Sequence, residues 1–284
     1  LMIGYSNSQQ GVLEVSPCTV KNIIVSYQKF MVPNNYKTYN GHKPFTLYTS
    51  SIAILIAALK RFKYIFLSNE KSANFGNLKI NNIEINHQWT KSLEFEKMYS
   101  KYLINYVNPN LSYSSILKPL YELQIAKIFA LYPKYHDVFI SCNRNGTKSW
   151  CNRCSKCAFI FLALSPFLSK KNVVDIFNED LLNKPENGIL FKQLIGDRGS
   201  KPFECVGTID ENRLAMNLLI NKKEPKSIVL KEIENNFRYD KNHNDINSFM
   251  IQYSEDNNIP KELKYKLRYN TLKLLDNDQK SNVI

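Results

Sequence analysis

Apolar positions in the first two thirds of the chain fall in short blocks that alternate between strand-like and helix-like spacing. Asn22 to Ser26 (NIIVS) reads as a buried strand. Thr46 to Phe62 predicts an apolar helix, followed by the short strand Tyr64 to Leu67 (YIFL). From Trp89 to Tyr106, the residues Leu93, Phe95, Met98, Tyr99, Tyr102 and Leu103 recur at helical spacing with charges between them. Ser112 to Leu117 predicts a further strand, Leu120 to Leu131 a helix, and Val138 to Ile140 a strand that runs into a cysteine cluster. Such alternation implies crossover units: an α/β fold with a parallel sheet and flanking helices.

Helical patterns follow at Ala158 to Leu164, Val173 to Phe177 and Glu211 to Ile220. The tail from Lys222 is richer in Lys, Asn and Asp, with helices expected at Ser227 to Asn236 and Pro260 to Leu275 and a loose connection at Tyr239 to Asn247. Three spans result: an α/β nucleotide- or substrate-binding domain at 1–140, a metal loop with a helical substrate region at 141–221, and a polar, mostly helical tail at 222–284. In parallel sheets, ligands bind beyond the carboxyl ends of the strands. Ser68-Asn69-Glu70-Lys71-Ser72 and Ser141-Cys142-Asn143-Arg144-Asn145 are expected there.

Composition narrows the class. Across 284 residues, 44% apolar and 22% charged content is that of a globular chain. The longest apolar run, Ile52 to Leu59, is too short to span a bilayer, and no basic-then-apolar leader opens the sequence. A cytoplasmic location without a membrane partner is expected. The net charge of +13 would attract polyanions. The charges are spread out, however, and Lys, Asn and Ile are abundant throughout, as an AT-rich coding sequence would produce. Charge alone therefore makes nucleic acid an unfavoured partner.

Cys142, Cys151, Cys154 and Cys157 are spaced C-x8-C-x2-C-x2-C. Two Cys-x2-Cys turns can point thiolates at one ion, and four thiolates complete a tetrahedral zinc site with no place left for water, hence a structural one. Lys148, Arg153 and Lys156 partly offset its charge. Disulfides are disfavoured because nothing suggests secretion. An iron–sulfur cluster, or no metal at all, remains an alternative on spacing alone.

The cysteine spacing after an alternating α/β region resembles the zinc site of 7-cyano-7-deazaguanine synthases, members of the ATP-pyrophosphatase group. A second resemblance is closer. NGHKPFT (Asn40 to Thr46), LSNEKSANFGN (Leu67 to Asn77), INHQWTKSLEFE (Ile85 to Glu96), SCNRNGTKSWCNRCSKCAFIFLALSPF (Ser141 to Phe167) and KPFECVGTIDE (Lys201 to Glu211) resemble bacterial UDP-N-acetyl-muramoyl-L-alanyl-L-glutamate epimerases. The resemblance implies an adenine-nucleotide alpha-hydrolase-like sheet and a role in peptidoglycan precursor synthesis. It implies ATP-dependent inversion of the terminal L-glutamate of UDP-MurNAc-L-Ala-L-Glu through an acyl adenylate, with ATP and Mg²⁺ required. One departure is plain: no SGGxDS-type phosphate loop and no Walker motif occurs in the chain. Leu1-Met2-Ile3 would follow such a loop in a longer protein. Two alternatives stay open: a zinc-containing nucleobase- or tRNA-modifying enzyme, and a binding module that keeps the fold without catalysis.

Candidate working residues follow. Glu70, flanked by Ser68 and Asn69 with Ser72 beyond, suits Mg²⁺ or a base, or else caps the next segment. His87, after Asn86, suits general acid/base work or packs at a helix start; Lys91 and Glu94 read as a solvated helix face. His42 and Lys43 precede the first apolar helix, where backbone N–H groups favour phosphate, or form a plain turn. Arg144 suits bidentate binding of a phosphate or carboxylate. Cys205 reads as a buried free thiol, and the resemblance makes it a candidate base for an α-proton with Glu204 as its partner; Cys18 reads as core.

Overall fold

The computed structural model describes residues 45–76, 78–144, 149–239 and 246–276. The expected strand at Asn22 to Ser26, Cys18, and the His42–Lys43 pair lie outside the described residues.

Helix α1 (Phe45–Lys60) runs straight into β1 (Tyr64–Leu67), the span the sequence predicts. Polar turns then give a 3-10 turn (Lys71–Asn74) and an antiparallel hairpin, β2 (Leu78–Ile80) with β3 (Ile83–Ile85). Asn81 and Asn82 both adopt positive φ at its tip, a conformation that Asn tolerates well. A second 3-10 turn (Trp89–Lys91) leads into α2 (Leu93–Tyr106), whose start is fixed by Ser92: its Oγ accepts from Phe95 N–H at 3.1 Å. Strand β4 (Ser112–Ser115) then pairs in parallel with β1, Tyr64 opposite Ser112 and Leu67 opposite Ser115. Ile65, Tyr113, Leu103, Ile54 and Ala57 bury a small core between this sheet and helices α1 and α2.

The rest is helical: α3 (Glu122–Ala130), α4 (Ser155–Leu164), α5 (Lys170–Phe177), α6 (Gly188–Leu194), α7 (Ile209–Ile220), α8 (Ile228–Asn236), α9 (Ile246–Met250) and α10 (Lys261–Asp276). The main core lies here. Phe159, Leu162, Leu164, Phe177, Phe191, Leu194, Leu214 and Met216 are nearly or wholly excluded from solvent. Helix α4 is apolar on almost every side, as expected of one surrounded by neighbours.

The fold is therefore mixed helix and sheet with a small parallel sheet, and among the described residues that sheet has two strands. Val138 to Ile140 is not a strand. The segment is committed to aromatic packing instead, with Phe139 against Phe129 at 5.0 Å and Trp150 at 5.6 Å. Ile246 and Asn247 belong to α9 rather than to a loose connection. No described helix is long and apolar enough to cross a membrane.

Candidate active site and metal centre

The loop after β1 turns sharply: Lys71 N–H donates to Leu120 O at 2.7 Å, which ties it to the segment after β4. Glu70 is half-buried in that loop, at the start of the 3-10 turn, but its carboxylate makes no cap bond. Ser72 Oγ lies 2.9 Å from Glu122 Oε2 and 3.5 Å from Glu70 Oε1, so one hydroxyl sits between two carboxylates. Burial, then the Glu122 charge, holds the Glu70 carboxyl above its usual range. Ser68 is exposed and Asn69 half-buried. Asn86 Nδ2 donates to Ala73 O (2.9 Å), and its Oδ1 accepts from Gln88 N–H (2.9 Å).

Residues 87–91, which lead into and form the second 3-10 turn, deliver three side chains to one sulfur. Cys205 Sγ lies 2.7 Å from Gln88 Oε1, 3.5 Å from Lys91 Nζ and 3.7 Å from His87 Nε2. The His87 ring also packs on Phe203 at 4.6 Å. Lys91 is thus no solvated face. Burial opposes its charge, but Cys205, Glu70 and Glu122 outweigh burial and raise its pKa. Glu94 is exposed and accepts from Trp89 Nε1 at 2.9 Å.

The Cys205 loop is pinned from the far side. Lys156 Nζ on α4 donates to Cys205 O (2.5 Å) and lies 3.5 Å from Glu122 Oε1; Lys201 Nζ donates to Gly207 O. Gly207 has φ +64, and a Cβ there would meet the Phe159 ring at 2.9 Å. Only glycine lets the loop lie this close to α4. Thr208 and Glu211 then form a capping box that starts α7. Glu211 also accepts from Leu123 N–H at 3.1 Å, and burial, followed by the Glu122 charge, pushes its carboxyl up to about 7.

The four cysteines converge: their sulfurs all lie within 4.8 Å of one another, with Cys154 to Cys157 at 3.4 Å and Cys151 to Cys157 at 3.8 Å. Tetrahedral thiolates bound at about 2.3 Å to one ion stand about 3.8 Å apart, so this set can hold a single metal ion. Cys154 is the N-cap of α4, its Sγ accepting from Cys157 N–H at 3.4 Å, so two of the four cysteines sit at the positive end of a helix, which favours thiolates. Asn152 takes positive φ (56°) to turn the chain between Cys151 and Cys154, and its side chain holds Phe177 O at 2.9 Å. Arg144 is exposed beside Cys142. Asn143 instead reaches across, Nδ2 donating to Glu204 Oε2 at 3.1 Å.

Two family models match the chain: the MurL N-terminal domain over residues 9–116 and the MurL C-terminal domain over residues 138–246. Three curated proteins named UDP-N-acetyl-alpha-D-muramoyl-L-alanyl-L-glutamate epimerase are similar to it. The one from Micromonospora is 41% identical over 190 residues, which is 65% of this chain and 42% of that protein. That from Xanthomonas oryzae pv. oryzae is 39% identical over 200 residues, 68% of this chain and 44% of its own. The Salinispora tropica protein is 40% identical over 185 residues, 63% and 40%. The chain belongs to the MurL epimerase family. It spans less than half the length of these relatives, and no solved structure matches it.

The N-terminal MurL match carries Glu70, His87 and Lys91; the C-terminal match carries the four cysteines, Cys205 and Glu211. Lys118 and Glu122 fall between the two. Sequence reasoning missed Gln88 and Lys91 as neighbours of Cys205, and Glu122 and Glu211 as the carboxylates that face Lys156 and cap α7. Gln88, Lys91 and Glu211 stand inside the stretches that carry the family resemblance; Glu122 has no sequence signal beyond a place in the first turn of a helix.

Proposed function

We propose that this chain carries the acid/base site of an ATP-dependent epimerase that inverts the terminal L-glutamate of UDP-MurNAc-L-Ala-L-Glu. The meeting of Cys205 Sγ with Lys91 Nζ and Gln88 Oε1, in a chain of the MurL family, carries the reading. A proton on Cα beside a free carboxylate is very weakly acidic, because its removal builds a second negative charge. In the proposed sequence the glutamate α-carboxylate attacks the α-phosphate of ATP and releases diphosphate. The acyl adenylate has lost the carboxylate charge, so its Cα–H can be taken by a base and returned from the other face. Water then cleaves the adenylate to the D-glutamyl carboxylate and AMP.

In this reading Cys205 is the α-proton base, with the Lys91 ammonium 3.5 Å from its sulfur. His87, its Nε2 3.7 Å from the same sulfur, is proposed to exchange a proton with it. Glu70 is proposed for Mg²⁺ binding, next to Ser68, Asn69 and Ser72 beyond β1, in a sheet proposed to be of the adenine-nucleotide alpha-hydrolase type. His42, Lys43 and Arg144 remain proposed phosphate or carboxylate ligands. The four cysteines are proposed to hold Zn²⁺, which would supply rigidity and no open coordination place. Glu204 is proposed as the partner of Cys205, and Asn143 Nδ2 donates to its Oε2 at 3.1 Å, which ties it to the cysteine loop.

The test is to incubate the 284-residue chain with UDP-MurNAc-L-Ala-L-Glu, ATP and Mg²⁺ and to assay AMP and chiral glutamate after hydrolysis. D-Glutamate and AMP are expected together. D-Glutamate without AMP would remove the adenylate, and neither product would remove the epimerase reading for this chain.

A further inference from the structure

Lys118 lies beneath the Cys205 site, not in it. It follows β4 through a tight turn, its N–H donating to Ser115 O at 3.2 Å, and its side chain is wholly excluded from solvent (0% exposed). The ammonium donates to two backbone carbonyls, Glu70 O at 3.0 Å and Lys91 O at 2.6 Å. One belongs to the loop after β1 and the other ends the 3-10 turn before α2. A single side chain from the end of β4 therefore bridges both segments.

Glu96 in the first turn of α2, itself 1% exposed, supplies opposite charge. Glu70 adds to it, and the Lys91 ammonium opposes it. Burying an ammonium is costly, and an apolar side chain of similar volume is often as stable or more so. The strength of the two carbonyl bonds, each charge-assisted, is therefore better explained by what they hold than by a gain in stability. What they hold is the backbone of Lys91, whose side chain meets Cys205, and that of Glu70, which faces Glu122 across Ser72.

We infer that Lys118 is a positioning residue: it clamps the Glu70 and Lys91 backbones so that the Lys91 ammonium reaches the Cys205 sulfur. The functional weight of this inference rests on the reading of Cys205 as the proton-transferring base, but the geometry can be tested without it. A displacement of about 1 Å at a reacting group is enough to cost a large rate factor, so a clamp set one layer below the site matters.

The experiment measures alkylation of Cys205 by iodoacetamide at pH 7.5 in the full chain, by peptide mass spectrometry, with thermal unfolding recorded for every variant. Lys118→Met is expected to slow Cys205 alkylation about tenfold, the scale of losing a nearby ammonium, while the fold is kept. Combined with Lys91→Met it is expected to add nothing, because both act through one contact. Glu96→Gln leaves both carbonyl bonds in place and is expected to keep the rate within about twofold. A folded Lys118→Met protein alkylated at the wild-type rate overturns the inference. So do additive losses in the double variant, and so does a tenfold fall in Glu96→Gln, a result readable even if Lys118→Met does not fold. Absence of epimerisation with this alkylation pattern intact would instead remove the functional reading and leave the clamp.

Discussion

Lys91 Nζ stands 3.5 Å from Cys205 Sγ, although 114 positions separate the two residues in the chain. Lys91→Met removes the charge but keeps most of the side-chain volume. Cys205 alkylation by iodoacetamide should then slow about ten- to a hundredfold. Unfolding temperature should change little. A rate within twofold of the parent protein would show that the ammonium does not activate the sulfur.

The buried carboxyls set a pH dependence of stability. Burial, and then the Glu122 charge, raises Glu211 from 4.5 to about 7, and Glu70 moves the same way for the same two causes. The folded chain thus binds protons more tightly than the unfolded chain. This contribution is fully present below pH 4.5 and is lost as pH rises through about 7. For Glu211 it amounts to about 3 kcal/mol. Glu122→Gln removes the like charge, so its stability relative to the parent should improve between pH 5 and pH 7.5 by about 1–2 kcal/mol. Urea unfolding of both proteins at each pH measures this. A difference that is flat or falls with pH would count against the coupling.

Phe177 joins the cysteine loop to the helical core. It is 1% exposed, packs on Trp150 at 4.4 Å and Phe161 at 5.3 Å, and its carbonyl accepts from Asn152. Phe177→Ala should cost about 3–5 kcal/mol through the cavity left behind. Tyr265→Ala, on an exposed face of α10, should stay within about 0.5 kcal/mol. Denaturant midpoints give both values, and equal effects would mean that the aromatic cluster is not what anchors the loop.

Local pattern made most of the helices, β1 and the convergence of the four cysteines legible. Tyr64 to Leu67 is bounded by polar turns, and the two Cys-x2-Cys spacings leave little geometric freedom. The Val138 to Ile140 segment misled because its apolar residues serve an aromatic cluster that only tertiary packing reveals. The β2–β3 hairpin was missed because its residues are mostly exposed, and the strands are three residues each. The candidate site was half legible: Cys205, His87 and Glu70 stood out by residue type. Lys91 did not, since a lysine in a helical pattern reads as surface until the 3-10 turn rotates it inward. Lys118 and Glu122 owe their meaning to contacts across the chain, which periodicity does not encode.

Side chains join the cysteine segment to the Cys205 loop, Asn143 Nδ2 donating to Glu204 Oε2 and Lys156 Nζ to Cys205 O, with Lys156 standing between Cys154 and Cys157. An ion held by the four sulfurs would therefore fix the start of α4 and, through Lys156, the backbone of Cys205. Removing the ion by chelation, or replacing Cys154 by Ser, should lower stability by several kcal/mol, about the scale on which thiolate sites contribute to folding. It should also speed amide hydrogen exchange at Glu204 to Gly207 by about tenfold, while amides of α10 keep their protection. Metal content by mass spectrometry and exchange measured on the same samples decide the matter. A metal-free protein that protects Glu204 to Gly207 as well as the loaded one would show that the core alone holds this loop, and that the four cysteines serve only their own segment.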